Sequence, residues 1–307
     1  MIHYSDVKGK RPKPTEHIDE RIWRGIVGII NETIRNEALS KCFPQLCPDG
    51  NGVCGFNESL FQDMLRAEVP DIKYPFQSIG DIDPLEDEKI QKERLQNEQY
   101  AVLDTIEFIF DHLNDSIKEQ RNYHEFFHHY ELVFVDGNDE KDRFRKAINE
   151  LFRRNGVQFR LNEKGQIVRI LPSRLAETAV KSNSIKDVII HDYISFAIDQ
   201  FHSPRLDERR IGLERLWDAF ERIKSAYRPE LSKKESIEAL ICTVSSGNET
   251  YKNSITNECI CLTEMGNSYQ IRHHEVDKVP IDNGSMVDYF FTRMLATIDL
   301  LLTGFYI

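Results

Sequence analysis

Positive charge is what this sequence has too little of. Its 307 residues include 40 Lys and Arg against 51 Asp and Glu, a net charge of −11. A field of that sign repels nucleic acid, so any RNA contact needs a local basic patch. Long apolar runs are missing as well: nothing approaches the roughly 18 residues that cross a bilayer. The opening stretch, Met1-Ile2-His3-Tyr4-Ser5-Asp6, lacks the apolar centre of a secretory signal, so a cytoplasmic protein with no membrane contact is expected. Six cysteines in a chain this long are too few for a disulfide scaffold. Nor is there a Gly-x4-Gly-Lys-Ser/Thr loop, which argues against an ATPase or GTPase.

The 40% of apolar residues are enough for a sizeable core in one large or two modest domains. Their spacing is mainly helical. Ile22, Trp23, Ile26, Ile29, Ile30 and Ile34 recur at three- and four-residue steps and predict a helix from about Ile18 to Asn36. Similar stripes predict helices from Asn57 to Ala67, Glu88 to Lys118, Glu140 to Asn155, Ile185 to Phe201, Leu206 to Tyr227, from Lys233, and at Ile255 to Ile271 and Met286 to Leu302. Asn57 reads as an N-cap and Gly156 as a C-terminal stop. Val157–Leu161 and Gln166–Leu171 alternate across a Gly-containing turn and predict one β-hairpin. The expected fold is mostly α, a multi-helix bundle with one small central hairpin. Its regions would be 1–135 (helical), 136–175 (helix plus hairpin) and 176–307 (helical). The broad apolar stripe of the last helix, from Tyr289 and Phe290 to Leu302, leads us to expect a homodimer built on it.

Two clusters invite a metal reading. Cys42, Cys47 and Cys54 share a loop with Pro44, Pro48, Gly50 and Gly52, but their spacing is irregular and a fourth ligand is missing. His124, His128 and His129 lie with Glu125 in an aromatic stretch. On a helix His124 and His128 would share a face, yet no third ligand is evident. Reduced thiols and aromatic packing at a helix end are therefore expected, with no metal and no cofactor. The acidic run from Asp81 to Glu88 lacks the order of a calcium loop and reads as a solvated connector.

The chemistry-bearing stretch is Asn267-Ser-Tyr-Gln-Ile271-Arg272-His273-His274-Glu275. An Arg holds a phosphate through two parallel donors, a His moves a proton near neutrality, and a Glu fixes its tautomer. These are the parts of metal-free RNA cleavage, with Arg272, His273, His274 and Glu275 as candidate catalytic residues. The same four residues could instead close one helix, as cations favour its C-terminal end.

Several stretches resemble bacterial abortive-infection proteins carrying an AbiJ-type N-terminal domain. They are Ile22-Trp23-Arg24-Gly25, Phe43-Pro44-Gln45-Leu46-Cys47-Pro48-Asp49, Phe144 to Gly156 with its hairpin, Arg215 to Lys224, and Gly266 to Glu275. The resemblance implies an α-rich antiphage defence protein. The closing helices are also similar to the HEPN class of helical RNases, in which an Arg-x4-6-His motif acts at a dimer interface without metal. That spacing asks for His at 277, 278 or 279, where this chain has Asp277, Lys278 and Val279, so His273 or His274 would stand in. The function expected is an antiphage effector acting on RNA. The alternative is a non-catalytic sensor or scaffold that binds a phage protein or a partner of the defence system.

Overall fold

Ile22, Trp23, Ile26 and Ile30 are buried along one face of the first helix, α1 (Glu20–Arg35), which confirms the stripe read from the sequence. Asp19 caps it, its carboxylate accepting from the Ile22 amide at 2.9 Å. A computed structural model of the chain describes residues 12–50, 52–170, 174–183, 185–271 and 278–306, without the side chains of 119–121 and 174–176. The chain divides into two compact units, Met1–Ile170 and Leu171–Ile307.

In the first unit α1 is followed by β1 (Pro44–Leu46), β2 (Val53–Phe56), α2 (Glu58–Glu68), α3 (Glu88–Asp111), β3 (Asp115–His124), β4 (His129–Val135), α4 (Asp139–Asn155), β5 (Phe159–Leu161) and β6 (Ile167–Arg169). The strands form three separate antiparallel pairs, β1–β2, β3–β4 and β5–β6. Asn57 caps α2 through the Leu60 amide, as its side-chain chemistry anticipates. Gly156 closes α4 at φ 74°, and a Cβ there would strike the Lys13 carbonyl. Trp23, Phe43, Phe61 and Phe152 centre the core, with Phe43 and Phe61 edge to face at 5.3 Å.

Three sequence expectations need correction here. The helix expected to reach Lys118 ends at Asp111, with His112 as its C-cap. The Asn114 amide then donates to the Ala38 carbonyl at 2.8 Å, which draws the chain away from the helix axis into β3. The single expected hairpin is one of three. The Tyr123–Tyr130 stretch is the tip of β3–β4 rather than a helix end: Tyr123 pairs with Tyr130 and His124 with His129, and His128 turns the chain at φ 53°.

The second unit consists of α5 (Arg174–Ser182), α6 (Val188–Phe201), α7 (Leu206–Ala226), α8 (Lys233–Ser245), α9 (Glu249–Ser268), α10 (Gly284–Leu302) and a closing 3-10 turn, Thr303–Phe305. Leu213, Leu216, Trp217, Phe220 and Ile223 bury one face of α7. The mostly-α fold holds, and no helix among the described residues is long and apolar enough to cross a membrane. In α10, Val287, Phe290, Phe291, Met294, Leu295, Ile298, Leu301 and Leu302 are all buried within this unit, against α5, α7, α8 and α9. Phe291 stacks on Phe201 with centroids 3.8 Å apart. The width of the stripe is thus accounted for inside one chain and does not by itself call for a second copy.

Two glycines separate packing from helix propensity. Gly28 of α1 has nothing within 4 Å of a Cβ position, whereas a Cβ on Gly266 of α9 would overlap the Trp217 indole, with two more ring atoms at 3.0 Å. Alanine adds about 1 kcal/mol of helix propensity at either site. Overpacking against a buried ring costs about 1–3 kcal/mol. Gly28→Ala is therefore expected to raise the urea midpoint slightly and Gly266→Ala to lower it, both followed by circular dichroism.

Candidate functional site

Arg272, His273, His274 and Glu275 lie outside the described residues; the residues on either side of them are described. α9 ends at Ser268, three residues earlier than the sequence suggests, and Tyr269 is already extended at φ −105°, ψ 156°. Tyr269 forms an isolated parallel bridge with Val279. The Gln270 amide donates to the Val279 carbonyl at 2.9 Å, and the Val279 amide to the Ser268 carbonyl at 3.0 Å. Lys278 reaches back to the Asn267 carbonyl. Ile271 and Ile281 are buried on the two sides. The helix that these four residues could instead have closed therefore ends before Arg272.

The two helices leading into and out of this stretch are tied by charge. Arg293 of α10 donates through Nε and Nη2 to the two carboxylate oxygens of Glu258 in α9, at 2.7 and 2.9 Å. The same guanidinium reaches Cys261 Sγ at 3.3 Å and the Tyr289 hydroxyl at 3.2 Å. The hydrogen bond from Arg293 holds the Glu258 carboxyl below its ordinary range, and Glu258 in turn raises the guanidinium.

A second cluster forms in the first unit, where the sequence suggested no metal. Cys47, His124, His129 and Glu131 each offer one donor atom, and these four atoms all lie within 4.8 Å of one another. Local structure explains the convergence. The Cys47 amide donates to the Gly52 carbonyl and the Gly50 amide to the Cys47 carbonyl, both at 2.8 Å, which closes the turn between β1 and β2. Gly50 completes that turn at φ 79°. On β3–β4, His124 and His129 are cross-strand partners, and Glu131 follows His129 by two residues, so all three share one face. A Cβ on Gly52 would come 2.6 Å from Glu131 Cδ, so a glycine at this position is what makes room for the carboxylate. Phe127 packs edge-on to His124, with centroids 4.9 Å apart, and stacks parallel to His129 at 6.0 Å.

The chemistry of this cluster is not that of a cysteine nucleophile. Cys47 Sγ lies 3.3 Å from His124 Nδ1, but Cys47 is only 2% exposed. Burial pushes its thiol up, and the carboxylates of Asp49 and Glu131 add to the rise. Asp49 lies 3.7 Å from the same His124 nitrogen, so it does not orient the imidazole from behind as a relay would require. His129 and Cys47 belong to the two clusters noted in the sequence, whereas Glu131 was missed. The available signal was the His129-x-Glu131 step leading into Leu132-Val133-Phe134-Val135, a β-branched and aromatic run that marks a strand.

Among the described residues, ten helices in two units, with three small hairpins in the first, define a mostly α-helical protein. The family AbiJ N-terminal domain 4 matches residues 3–184, and the chain belongs to this abortive-infection family. No curated protein and no solved structure matches it. The family match takes in Cys47, His124, His129 and Glu131 and ends before α6; the closing helices lie beyond it.

The Glu258–Arg293 pair predicts a pH dependence. A carboxyl held low in the folded state contributes stability that is complete above its unfolded value and is lost as pH falls through the folded one. From about pH 5 downward, wild-type protein should lose more thermal stability than Glu258→Gln, and the two melting curves should converge in acid. Parallel curves across that range would show that the pair contributes nothing.

Proposed function

We propose that this protein is an antiphage abortive-infection effector that cleaves RNA without metal, through Arg272, His273, His274 and Glu275. The supporting observation is the anchoring of the chain on either side of these residues, by the Tyr269–Val279 bridge and by buried Ile271 and Ile281. A short span between fixed ends is a suitable carrier for groups that must meet a phosphate at set distances. Arg272 binds the scissile phosphate and stabilises its developing charge. His273 or His274 takes the proton from the ribose 2′-hydroxyl or gives one to the departing 5′-oxygen, and Glu275 orients the imidazole. The 2′-oxygen forms a bond to phosphorus as the bond to the 5′-oxygen breaks, leaving a cyclic phosphate and a 5′-hydroxyl. In keeping with the HEPN-like reading, the active species is a homodimer.

A second reading, from a different class, rests on the net charge of −11, which disfavours RNA. In it the protein is a non-catalytic sensor or scaffold that binds a phage protein or a partner of the defence system.

Substitution separates the two readings. Under the nuclease reading, Arg272→Ala and the double change His273→Ala/His274→Ala each abolish phage protection while folding is unchanged, because clamp and proton carrier act as a unit. Arg272→Lys also fails, since lysine keeps the charge but loses the planar fork. Protection that survives all three at equal protein level would remove the nuclease. Light scattering at tens of micromolar should report a dimer, and a monodisperse monomer there would contradict the assembly.

A further inference from the structure

We propose that Cys47, His124, His129 and Glu131 form a structural zinc site that clips the β1–β2 turn to the β3–β4 hairpin. It is independent of the RNA-cleaving reading, since all four residues lie in the first unit. One thiolate, two imidazoles and a carboxylate are a zinc donor set, whereas magnesium and calcium take oxygen donors. Zinc bond lengths of about 2.0–2.3 Å place tetrahedral donors about 3.3–3.7 Å apart. Cys47 Sγ and His124 Nδ1 already stand at 3.3 Å, and the widest spacing in the group, within 4.8 Å, needs an inward movement of about 1 Å.

A second observation points to a ligand. His129 Nε2 is buried and has no hydrogen-bond partner among the described residues. An unsatisfied buried nitrogen costs about 1–3 kcal/mol, so such atoms call for an explanation. A cation among these donors supplies one. The carboxylate room left by Gly52 supplies the fourth donor, and four protein donors close the coordination shell, which marks a structural site rather than a hydrolytic one. Binding releases the Cys47 thiol proton to solvent as the sulfur–zinc bond forms. The clip joins residues 77 apart in sequence across two separate two-stranded pairs, which are marginal on their own.

The test uses the full chain, purified without chelator, with zinc and cobalt(II) alone as probes. Elemental analysis should find about one zinc per chain. The cobalt-substituted protein should show a thiolate-to-cobalt charge-transfer band with the intense visible bands of four-coordinate cobalt. Cys47→Ser and His129→Ala should each lose stoichiometric zinc, while Cys42→Ser and Cys54→Ser retain it. Chelation should lower the melting temperature of the wild-type protein, and added zinc should restore it. Where a ligand variant fails to fold, the cobalt spectrum and the chelation cycle of the wild type decide. Absence of both zinc and the charge-transfer band in wild-type protein would overturn the site, as would zinc fully retained by folded Cys47→Ser. Zinc removed with no change in melting temperature would overturn its structural role.

Discussion

Burial of α10 along all but one stripe, Ser285, Tyr289, Thr292 and Ala296, is the constraint around which the second unit is arranged. Its buried apolar residues face α5, α7, α8 and α9, and three of its charged residues are committed as well. Asp288 accepts from buried Arg209 at 3.1 Å, Arg293 holds Glu258, and Asp299 accepts from Lys181 at 2.7 Å and from Thr178 at 3.2 Å. A helix enclosed in this way cannot shift without breaking charged pairs, which is costly when one partner is left buried. The chain must therefore enter α10 at a set place, past buried Ile281 and out of the Val279 bridge.

The first unit solves a different problem. Its three hairpins are separate two-stranded sheets, and such pairs are marginal alone in water. One, β5–β6, is supported by helices on both strands: Asn149 of α4 bonds the Leu161 amide and carbonyl on β5, and Glu107 of α3 accepts from the Ile167 amide on β6. β3–β4 is anchored at its base, where Asp115 accepts from the amides that open α4, at 2.8 and 3.1 Å. The far end, with His124, Phe127 and His129, has the β1–β2 turn for a neighbour and Phe126 largely exposed. A cation there would tie down the end of the hairpin that the helices do not reach.

The helices were legible because an amphipathic stripe repeats every turn and is written into the sequence as spacing; α1, α4 and α7 are clear cases. Caps were legible for the same local reason, as at Asn57 and Gly156. β3 was not: Asp115-Ser-Ile-Lys-Glu-Gln-Arg is polar and without alternation, so its sequence carries no strand signal, and Asp115 to Lys118 pair with Val135 to Leu132 through the backbone. The Cys47 cluster was half legible twice over. Cys47 lacked partners because the other three donors lay in another hairpin, and the histidines lacked a thiol for the same reason, while Glu131, two residues past His129 on the same strand, was overlooked. Spacing rules see ligands on one element, and this set is assembled by tertiary contact. The candidate catalytic residues were chosen from residue chemistry alone and lie outside the described residues.

The central claim is that abortive infection here proceeds through RNA cleavage by Arg272, His273, His274 and Glu275, and mapping of cellular RNA ends tests it most directly. Cells expressing the wild-type chain under phage challenge should accumulate new 5′-hydroxyl ends that are missing from cells expressing Arg272→Ala at the same level. Identical end profiles in the two strains, with phage protection intact in the wild type, would contradict the account.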